Sequence, residues 1–410
     1  MTANLDTPLS PPRLPRRRPH VAAPSLRLSD HPAAAVLRVA RLQGPVFRDQ
    51  VVAASGLSSA TVNRQVVGLL ESGLLRERAD LSPSGALGRP RLPVEINRSA
   101  LLTVGIHIGF KVTPITTHDL TGRILGALQV PTNRSSSAGD ARSVLASIGD
   151  STHRFLQRWA GRRVLWTGVA IGGWVDPRGR VDHHRLSWSS APVGETLSGA
   201  LGLPVSVAPH VEAMAAAELL LVPPKNGATS TLYFYARETV GVSLTINGAV
   251  HTPTAGAGTI GHLPTGPTDV LDPRRTGRLE DTVSDTGVVE AALAAGLQVD
   301  GVEGVHRLAA AGHVTAWTLL RERAHVLGRA IALVSDIINP DHVILGGQAF
   351  TDSAATLPDV ARSVSESSVA PRRELRVTAA GGRVQQQAAG AVSLDAVYFD
   401  PLAAMRHSEP

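Results

Sequence analysis

The sequence predicts an α+β winged helix-turn-helix domain at the N-terminus, followed by a larger α/β domain with two lobes. Helical periodicity with separate start and stop signals fills residues 32–73. Two short strand patterns then flank a loop rich in glycine and proline, and strands alternate with helices from residue 99 onward. The 410 residues are enough for two or three domains, each with its own core.

The predicted boundaries divide the chain into five segments. Residues 1–28 are expected to be a disordered basic tail, because they are rich in proline and arginine and show no periodicity. The other segments are a winged helix-turn-helix domain over 29–98, a first α/β lobe over 99–208, a second α/β lobe over 209–400 with a C-terminal helix that could return to the first lobe, and a tail over 401–410.

Composition excludes several classes of protein. The chain has no cysteine, which rules out disulfides, thiolate zinc sites and cysteine nucleophiles and is compatible with a cytoplasmic location. No run of about 18 apolar residues is present, so no membrane span is expected.

Positive charge is concentrated at one end: residues 1–100 hold 14 arginines and 7 acidic residues, whereas the remainder holds 26 basic and 27 acidic residues. This distribution favours a DNA-binding front end, since a phosphate backbone attracts a localised basic patch.

Three helices are predicted in the N-terminal domain. The first covers 32–43, where Asp30 and Pro32 mark its start and Gly44-Pro45 its end. The second covers 48–55 and is followed by the turn Gly56-Leu57.

The third predicted helix has the features of a recognition helix. Ser58 is expected to cap it by accepting from the backbone NH of Thr61, and Gly73 ends it. Its apolar positions share one side, while short polar residues and an arginine occupy the other, as suits a helix entering the major groove. The predicted base contacts are Ser59, Thr61, Asn63 and Arg64. A small helical bundle with a solvated face is the alternative.

The predicted wing consists of strands at 74–78 and 91–96 around the loop SPSGALGRPR. A narrow Gly-Arg-Pro segment can lay an arginine along an A·T-rich minor groove, so Arg89 and Arg91 are candidate minor-groove contacts. An ordinary hinge is the alternative for this loop. The run Arg16-Arg17-Arg18 either follows DNA phosphates or is a solvated tail.

The order of motifs in the chain resembles the ROK family (repressors, open reading frames and kinases), particularly its transcriptional regulators. The resemblance covers about residues 30–400 and rests on GLSSATV, the wing GRP, VGIHIG with DLTG, AIGGWVDPRG, INGAV, AGTIGH and INPDHVILGG, in that order. It implies an actin-like (ribonuclease H-like) ATPase fold behind a winged DNA reader, a homodimer or homotetramer, and a sugar or sugar derivative as effector.

The resemblance also implies that the kinase chemistry is lost. The first phosphate loop of the family kinases, Asp-x-Gly-Gly-Thr, corresponds here to His107, Gly109, Phe110 and Lys111. The second, Gly-Thr-Gly-x-Gly, corresponds to the segment 237–241, in which Glu238 would repel phosphate. The catalytic Asn-Asp pair corresponds to Pro209-His210, which lacks the aspartate base. No catalytic residue, cofactor or metal is therefore predicted.

The zinc and sugar positions of the family are only partly kept. Gly261-His262 remains, but the family's cysteine run has become 271–278, and one histidine cannot hold zinc alone. His262 either contacts an effector or makes a structural hydrogen bond. Glu280 is kept and either binds ligand or pairs with nearby arginines, whereas Thr259 replaces the other family glutamate. The candidate effector contacts are His210, Glu212, His262 and Glu280.

A sequence-specific DNA-binding transcriptional regulator with a catalytically inactive kinase-like domain is the function that the sequence predicts. A sugar kinase with an appended DNA-binding module is the enzyme alternative, and it lacks the aspartate base and the glycine-rich phosphate loops. A nucleoid-associated protein that binds DNA without sequence preference is the third interpretation. Salt-dependent competition by unrelated DNA separates it from the first.

Overall fold

The structure is a computed structural model that describes residues 20–81, 91–132, 141–223 and 229–408, apart from 255, 257, 267, 269 and 370–373. Within these ranges no helix is long and apolar enough to cross a membrane. The described chain forms a small N-terminal unit and two α/β lobes, each lobe built around a five-stranded sheet.

The N-terminal unit contains three helices and a two-stranded antiparallel sheet. Its elements are α1 (Pro32–Gln43), α2 (Arg48–Ser55), α3 (Ser59–Glu71), β1 (Leu75–Glu77) and β2 (Val94–Ile96). Gly56 makes the tight turn between α2 and α3 with a φ of 70°, a value that glycine adopts without strain. Val51, Val62, Val66 and Leu69 are fully buried in the shared core. The predicted bounds of α1 and α2 are confirmed, although His31 rather than Asp30 stands at the N-cap of α1.

The first lobe has a mixed sheet in the order β10-β6-β3-β4-β5. Its strands are β3 (Leu101–Ile108), β4 (Val112–His118), β5 (Ile124–Pro131), β6 (Arg163–Ile171) and β10 (Val205–Pro209). Strands β3, β6 and β10 are parallel, whereas β3, β4 and β5 form an antiparallel meander. The lobe also contains α4 (Ala141–Leu156), α5 (Val193–Leu201) and a small sheet of β7 (Trp174–Val175), β8 (Val181–His183) and β9 (Trp188–Ala191).

The second lobe has a sheet in the order β13-β12-β11-β14-β15. Its strands are β11 (Ser230–Ala236), β12 (Val240–Ile246), β13 (Ala249–Val250), β14 (His342–Gly346) and β15 (Glu374–Val377). The helices after the first lobe are α6 (His210–Leu221), α7 (Leu279–Val283), α8 (Asp285–Ala294), α9 (Val302–Ala310), α10 (Val314–Ile338), α11 (Gln348–Thr351), α12 (Leu357–Ser367), α13 (Val384–Phe399) and α14 (Pro401–His407).

Helix α13 joins the parts of the molecule, because it packs on α6 and on the sheet of the first lobe. Glycine at 168 in β6 allows this close approach, since a side chain there would collide with the backbone of Ser393. The hydroxyls of Thr103 and Ser393 lie 2.7 Å apart across the same contact. The C-terminal helix of the second segment is therefore attached directly to the first lobe.

Both predicted tails are partly wrong. Residues 20–28 are ordered: Val21 bridges to Val205 of the first lobe, Arg27 bridges to Ala249 of the second, and Leu26 is 1% exposed. The backbone NH groups of Ser25 and Leu26 also donate to the two carboxylate oxygens of Asp395, at 2.6 and 2.8 Å. The segment shows no periodicity because its hydrogen-bond partners are distant in sequence.

At the other end, α14 replaces the tail expected over 401–410. Asp400 caps this helix by accepting from the NH of Ala403, and Ala404 and Met405 are buried in one core cluster with residues of the N-terminal unit. We call residues 20–31 the strap, since they touch both lobes and then lead into α1.

Candidate DNA-binding surface and interlobe cleft

The N-terminal half of α3 presents polar side chains to solvent. Ser59, Asn63 and Arg64 are exposed, and no described residue forms a salt bridge with Arg64. Ser58 caps the helix, since its Oγ accepts from the NH of Thr61 at 3.2 Å. The Ser58 hydroxyl also donates to the hydroxyl of Thr61 at 2.9 Å. The structure thus places three of the four predicted base-reading residues on one open face, while Thr61 is half-buried and takes part in the cap.

The two wing arginines differ. Arg89 lies outside the described residues, as does the rest of the segment 82–90. Arg91 is exposed and forms a salt bridge with Asp49 of α2, with 2.9 Å between nitrogen and oxygen. Both partners are well solvated, so this pair contributes at most about 1 kcal/mol and can be exchanged for another anion.

Three histidines meet where the lobes face each other. His107 is at the end of β3, His183 ends β8, and His210 begins α6. The rings of His107 and His210 are stacked with their centroids 5.9 Å apart, and the ring of Tyr235 lies 5.3 Å from that of His210. His107 is only 2% exposed, and neither of its ring nitrogens has a hydrogen-bond partner among the described residues.

All three imidazoles are neutral at physiological pH. Burial, followed by electrostatic interactions with His210 and Arg237, lowers the pKa of His107 to about 3. Burial also lowers the pKa of His210 and that of His183 to about 4 each. The neutral rings of His107 and His210 each have one donor and one acceptor, whereas His183 has only its Nε2 donor left, because its Nδ1 accepts from the NH of Leu186 at 3.3 Å.

The two candidate carboxylates of the cleft behave differently. Glu212 is 3% exposed on α6, and burial raises its pKa to about 7. Glu280 is half-buried, and its Oε2 accepts from the NH of Val240 at 3.2 Å. Burial raises the pKa of Glu280 as well. Arg274 pairs with Glu290 at 2.8 Å, so it is not the partner of Glu280.

His262 lies beside Glu280, but the described residues around it do not form a set of metal ligands. The two lie on adjacent backbone segments, because the NH of Glu280 donates to the carbonyl of Gly261. The His262 side chain is exposed, and the described residues contain no group of three or more histidine, cysteine, aspartate or glutamate side chains suited to a metal ion.

An arginine that the sequence analysis missed joins the two loops that correspond to the family's phosphate loops. Arg185, between β8 and β9, bonds the Glu238 carboxylate at 2.6 Å and the Glu238 carbonyl at 3.1 Å. Its guanidinium also lies 5.0 Å from the ring centroid of Phe110. The hydroxyl of Thr286 donates to the same carboxylate at 2.6 Å. We call the set Phe110, Arg185, Glu238 and Thr286 the latch.

The latch is a contact between lobes, because Phe110 and Arg185 belong to the first and Glu238 to the second. Its carboxylate and guanidinium satisfy each other across the cleft. Sequence reasoning identified Glu238 as an obstacle but could not find Arg185, which is 53 positions away and belongs to no motif.

Comparison with known proteins assigns the chain to a family. A profile of the ROK family matches residues 103–396. A Mycobacterium tuberculosis protein named as a transcriptional regulator is 50% identical over 408 residues, covering 96% of this chain and 92% of that protein. The N-acetylglucosamine repressor of Escherichia coli is 22% identical over 344 residues, covering 80% and 83% of the two chains. The chain belongs to the ROK family.

Solved structures show the same fold. A ROK family transcriptional regulator, described as a homologue of the Escherichia coli MLC protein, matches with a TM-score of 0.75 and 22% identity, covering 92% of this chain and 98% of that one. A ROK glucokinase from Streptomyces griseus, solved with glucose and AMPPNP, matches with a TM-score of 0.59 and 22% identity over 71% of this chain and 99% of its own. The two lobes therefore have the actin-like fold of the ROK kinases.

Proposed function

We propose that the protein is a sequence-specific DNA-binding transcriptional regulator whose N-terminal unit is a winged helix-turn-helix and whose kinase-like lobes do not catalyse phosphate transfer. The observation that carries the proposal is the solvent-exposed polar face at the start of α3. This helix is part of a three-helix unit that has its own hydrophobic core. The 50% identical Mycobacterium tuberculosis protein, which matches almost the whole chain, is itself named as a transcriptional regulator.

In this proposal α3 enters the major groove with its first turns. Asn63 is suited to adenine and Arg64 to guanine, because their side chains match the paired donors and acceptors of those bases. Ser59 and Thr61 complete the predicted set, with the Thr61 hydroxyl available only if it shares its bond to Ser58. Arg91 exchanges Asp49 for a phosphate or enters the minor groove beside Arg89.

The loss of catalysis follows from two features of the cleft. Neutral His107 stands where the family kinases carry an aspartate, so no carboxylate is available there. The latch also joins the two loops that would cradle the phosphates, and its Glu238 repels them. His210 occupies the position of the family's aspartate base, and its imidazole binds protons weakly because its pKa is about 4.

The cleft is proposed to bind an uncharged effector such as a sugar or a sugar derivative. His210 and Glu212 would contact it from α6, and His262 and Glu280 from the second lobe. Lobe closure or opening would then change the conformation of the strap, because the strap is hydrogen-bonded to both lobes and continues into α1. The protein is proposed to act in the cytoplasm as a homodimer or homotetramer that binds a palindromic DNA site.

The test begins with selection of genomic fragments by the full-length protein. A short sequence common to the fragments, retained against unrelated competitor DNA at several salt concentrations, is the expected result. Replacing Arg64 with alanine should then weaken binding by about 1–3 kcal/mol and relax the preference at one base pair. Arg154→Ala, at an exposed position of α4, is the matched control and should bind as the wild type does.

Equal binding to all fragments, or an Arg64→Ala protein with unchanged affinity and preference, would refute the assignment of α3. The kinase alternative has its own assay: the protein is incubated with ATP and a panel of hexoses, and ADP release is followed. Turnover above that of a buffer control would contradict the inactive cleft.

A further inference from the structure

A pocket lies at the junction between the N-terminal unit and the two lobes. Arg27 and Ser29 of the strap, Arg38 and Arg41 of α1, and Tyr398 of α13 line it, together with apolar residues of α1 and α6. Four elements that are distant in sequence thus meet at one place. It is separate from both the α3 face and the cleft histidines.

The three arginines are held in defined positions. The guanidinium of Arg27 lies 4.9 Å from the ring centroid of Phe399, and that of Arg41 lies 4.8 Å from the ring centroid of Tyr398. Arg38 Nη1 donates to the carbonyl of Ser29 at 3.3 Å. A guanidinium that stacks through its face keeps N–H donors along its edge, and Arg41 uses one of these for the Tyr398 hydroxyl as Arg38 uses one for Ser29. The remaining edge donors are preorganised.

No described carboxylate neutralises these arginines. Arg27, Arg38 and Arg41 form no salt bridge in the described chain, in contrast to Arg76 and Arg78, which bind Glu95. Two acidic groups act on the pocket residues. Asp395 interacts with Arg27, and its two oxygens already accept the NH groups of Ser25 and Leu26; Asp119 acts on Tyr398, and its Oδ1 accepts the NH groups of Thr121 and Arg123. Three positive charges therefore converge on a partly apolar pocket, where an anion would bind more strongly than on an open surface.

We propose that this junction pocket binds a small phosphate group, either inorganic phosphate or the phosphate of a small metabolite, through Arg27, Arg38 and Arg41. Such an anion bonds the strap and α1 at the same time. It therefore fastens the N-terminal unit to the lobes and adds a second input to the regulator, independent of the cleft ligand. The inference extends the proposed function but does not require it, since anion binding is measurable without DNA.

The test is a titration of the full-length protein with inorganic phosphate, and in a second arm with glycerol 3-phosphate, at constant ionic strength maintained with sodium chloride. A saturable rise in the melting temperature, matched by binding in calorimetry, is expected for the wild type. The Arg38→Gln/Arg41→Gln double variant should bind at least tenfold more weakly. Arg154→Gln should retain wild-type binding. Saturation by glycerol 3-phosphate at lower concentration than by phosphate would identify a metabolite as the natural source.

Three results would overturn the proposal. The first is a melting temperature that phosphate raises no more than chloride does. The second is a double variant that binds phosphate as tightly as the wild type. The third is loss of the phosphate effect in Arg185→Gln with retention in the double variant, which would place the anion at the latch. If the double variant does not fold, Arg27→Gln replaces it, because Arg27 is exposed.

A DNA assay separates this site from a contact to the DNA backbone. In phosphate-free buffer, the double variant should bind selected DNA with the wild-type salt dependence. A reduced salt slope in that buffer would show that these arginines contact DNA phosphates instead, and would contradict the proposal.

Discussion

The exposed face of α3 and the interlobe cleft both carry polar residues. They differ in whether those residues have hydrogen-bond or ion-pair partners within the protein. On α3, Asn63 and Arg64 face solvent, and no described residue pairs with Arg64. In the cleft, Arg185 and Glu238 bind each other, and Glu280 accepts a backbone NH. Exposed side chains on a helix are available to an external partner. In the cleft, by contrast, Arg185 and Glu238 already form an ion pair with each other. The difference is the basis for proposing that α3 contacts DNA and that the kinase-like cleft does not.

The largest expected effect concerns the two sides of α3. Leu69 is fully buried in the core of the N-terminal unit, so Leu69→Ala should lower the free energy of unfolding of that unit by about 2–5 kcal/mol. Asn63→Ala, on the open side, should change it by less than about 0.5 kcal/mol. Urea unfolding followed by circular dichroism measures both. Equal losses in the two variants would mean that the helix is rotated from the orientation described.

The cleft histidines give a pH dependence with a defined sign. Burial depresses the pKa of His107 from 6.5 to about 3 in the folded state, so the folded protein binds fewer protons than the unfolded chain. The stabilisation from this neutral ring is fully present above pH 6.5 and is lost as the pH falls below it. The slope is about 1.4 kcal/mol per pH unit for one proton. Glu212 and Asp395 have the opposite effect on stability: they favour the folded state more as the pH falls, because burial raises their pKa values to about 7 and about 6.

The measurement compares the wild type with His107→Asn in urea at pH 6.5, 5.5 and 4.5. The wild type should lose stability more steeply, by about 2 kcal/mol more across this range. Parallel curves for the two proteins would show that His107 is not held neutral in the cleft. Near-ultraviolet circular dichroism at pH 7.5 checks that the variant has the same fold.

A smaller effect is expected at the N-cap of α3. Ser58→Ala removes the acceptor for the Thr61 NH and should cost about 1 kcal/mol of stability. Because the first turn of α3 carries the proposed base contacts, DNA affinity should fall as well. Ser58→Asp keeps an acceptor and should restore the stability. A Ser58→Ala protein as stable as the wild type would show that the cap contributes nothing.

The smallest effect is expected at the latch. Arg185→Ala removes a partly solvated ion pair and should lower stability by about 1 kcal/mol or less. It should also increase hydrogen exchange at the NH of Thr286, which donates to Glu238 at 3.2 Å. DNA sequence preference should not change, because the latch is distant from α3 in the fold. Altered preference would indicate that the latch, and not only the strap, controls the DNA-binding unit.

The sequence predicted those features that depend on local chemistry. Proline at the start of α1, glycine after α2 and the serine cap of α3 act within four residues, so the bounds and the open face of α3 followed from the pattern. The sequence predicts disorder for residues 20–28 of the strap, because their partners are Val205, Ala249 and Asp395, up to 370 positions away. No local pattern encodes such partners. Arg185 belongs to no motif for the same reason, and no local pattern shows that Glu280 accepts from the NH of Val240.

Hydrogen exchange of the full-length protein, with and without its selected DNA, tests the central claim most directly. The claim is that α3 reads DNA while the interlobe cleft does not take part in the contact. The account predicts DNA-dependent protection of the amides at 58–64 and unchanged exchange over residues 107–111 and 237–241, which contain Phe110 and Glu238 of the latch. Protection confined to those loops, with residues 58–64 exchanging as in the free protein, would contradict it.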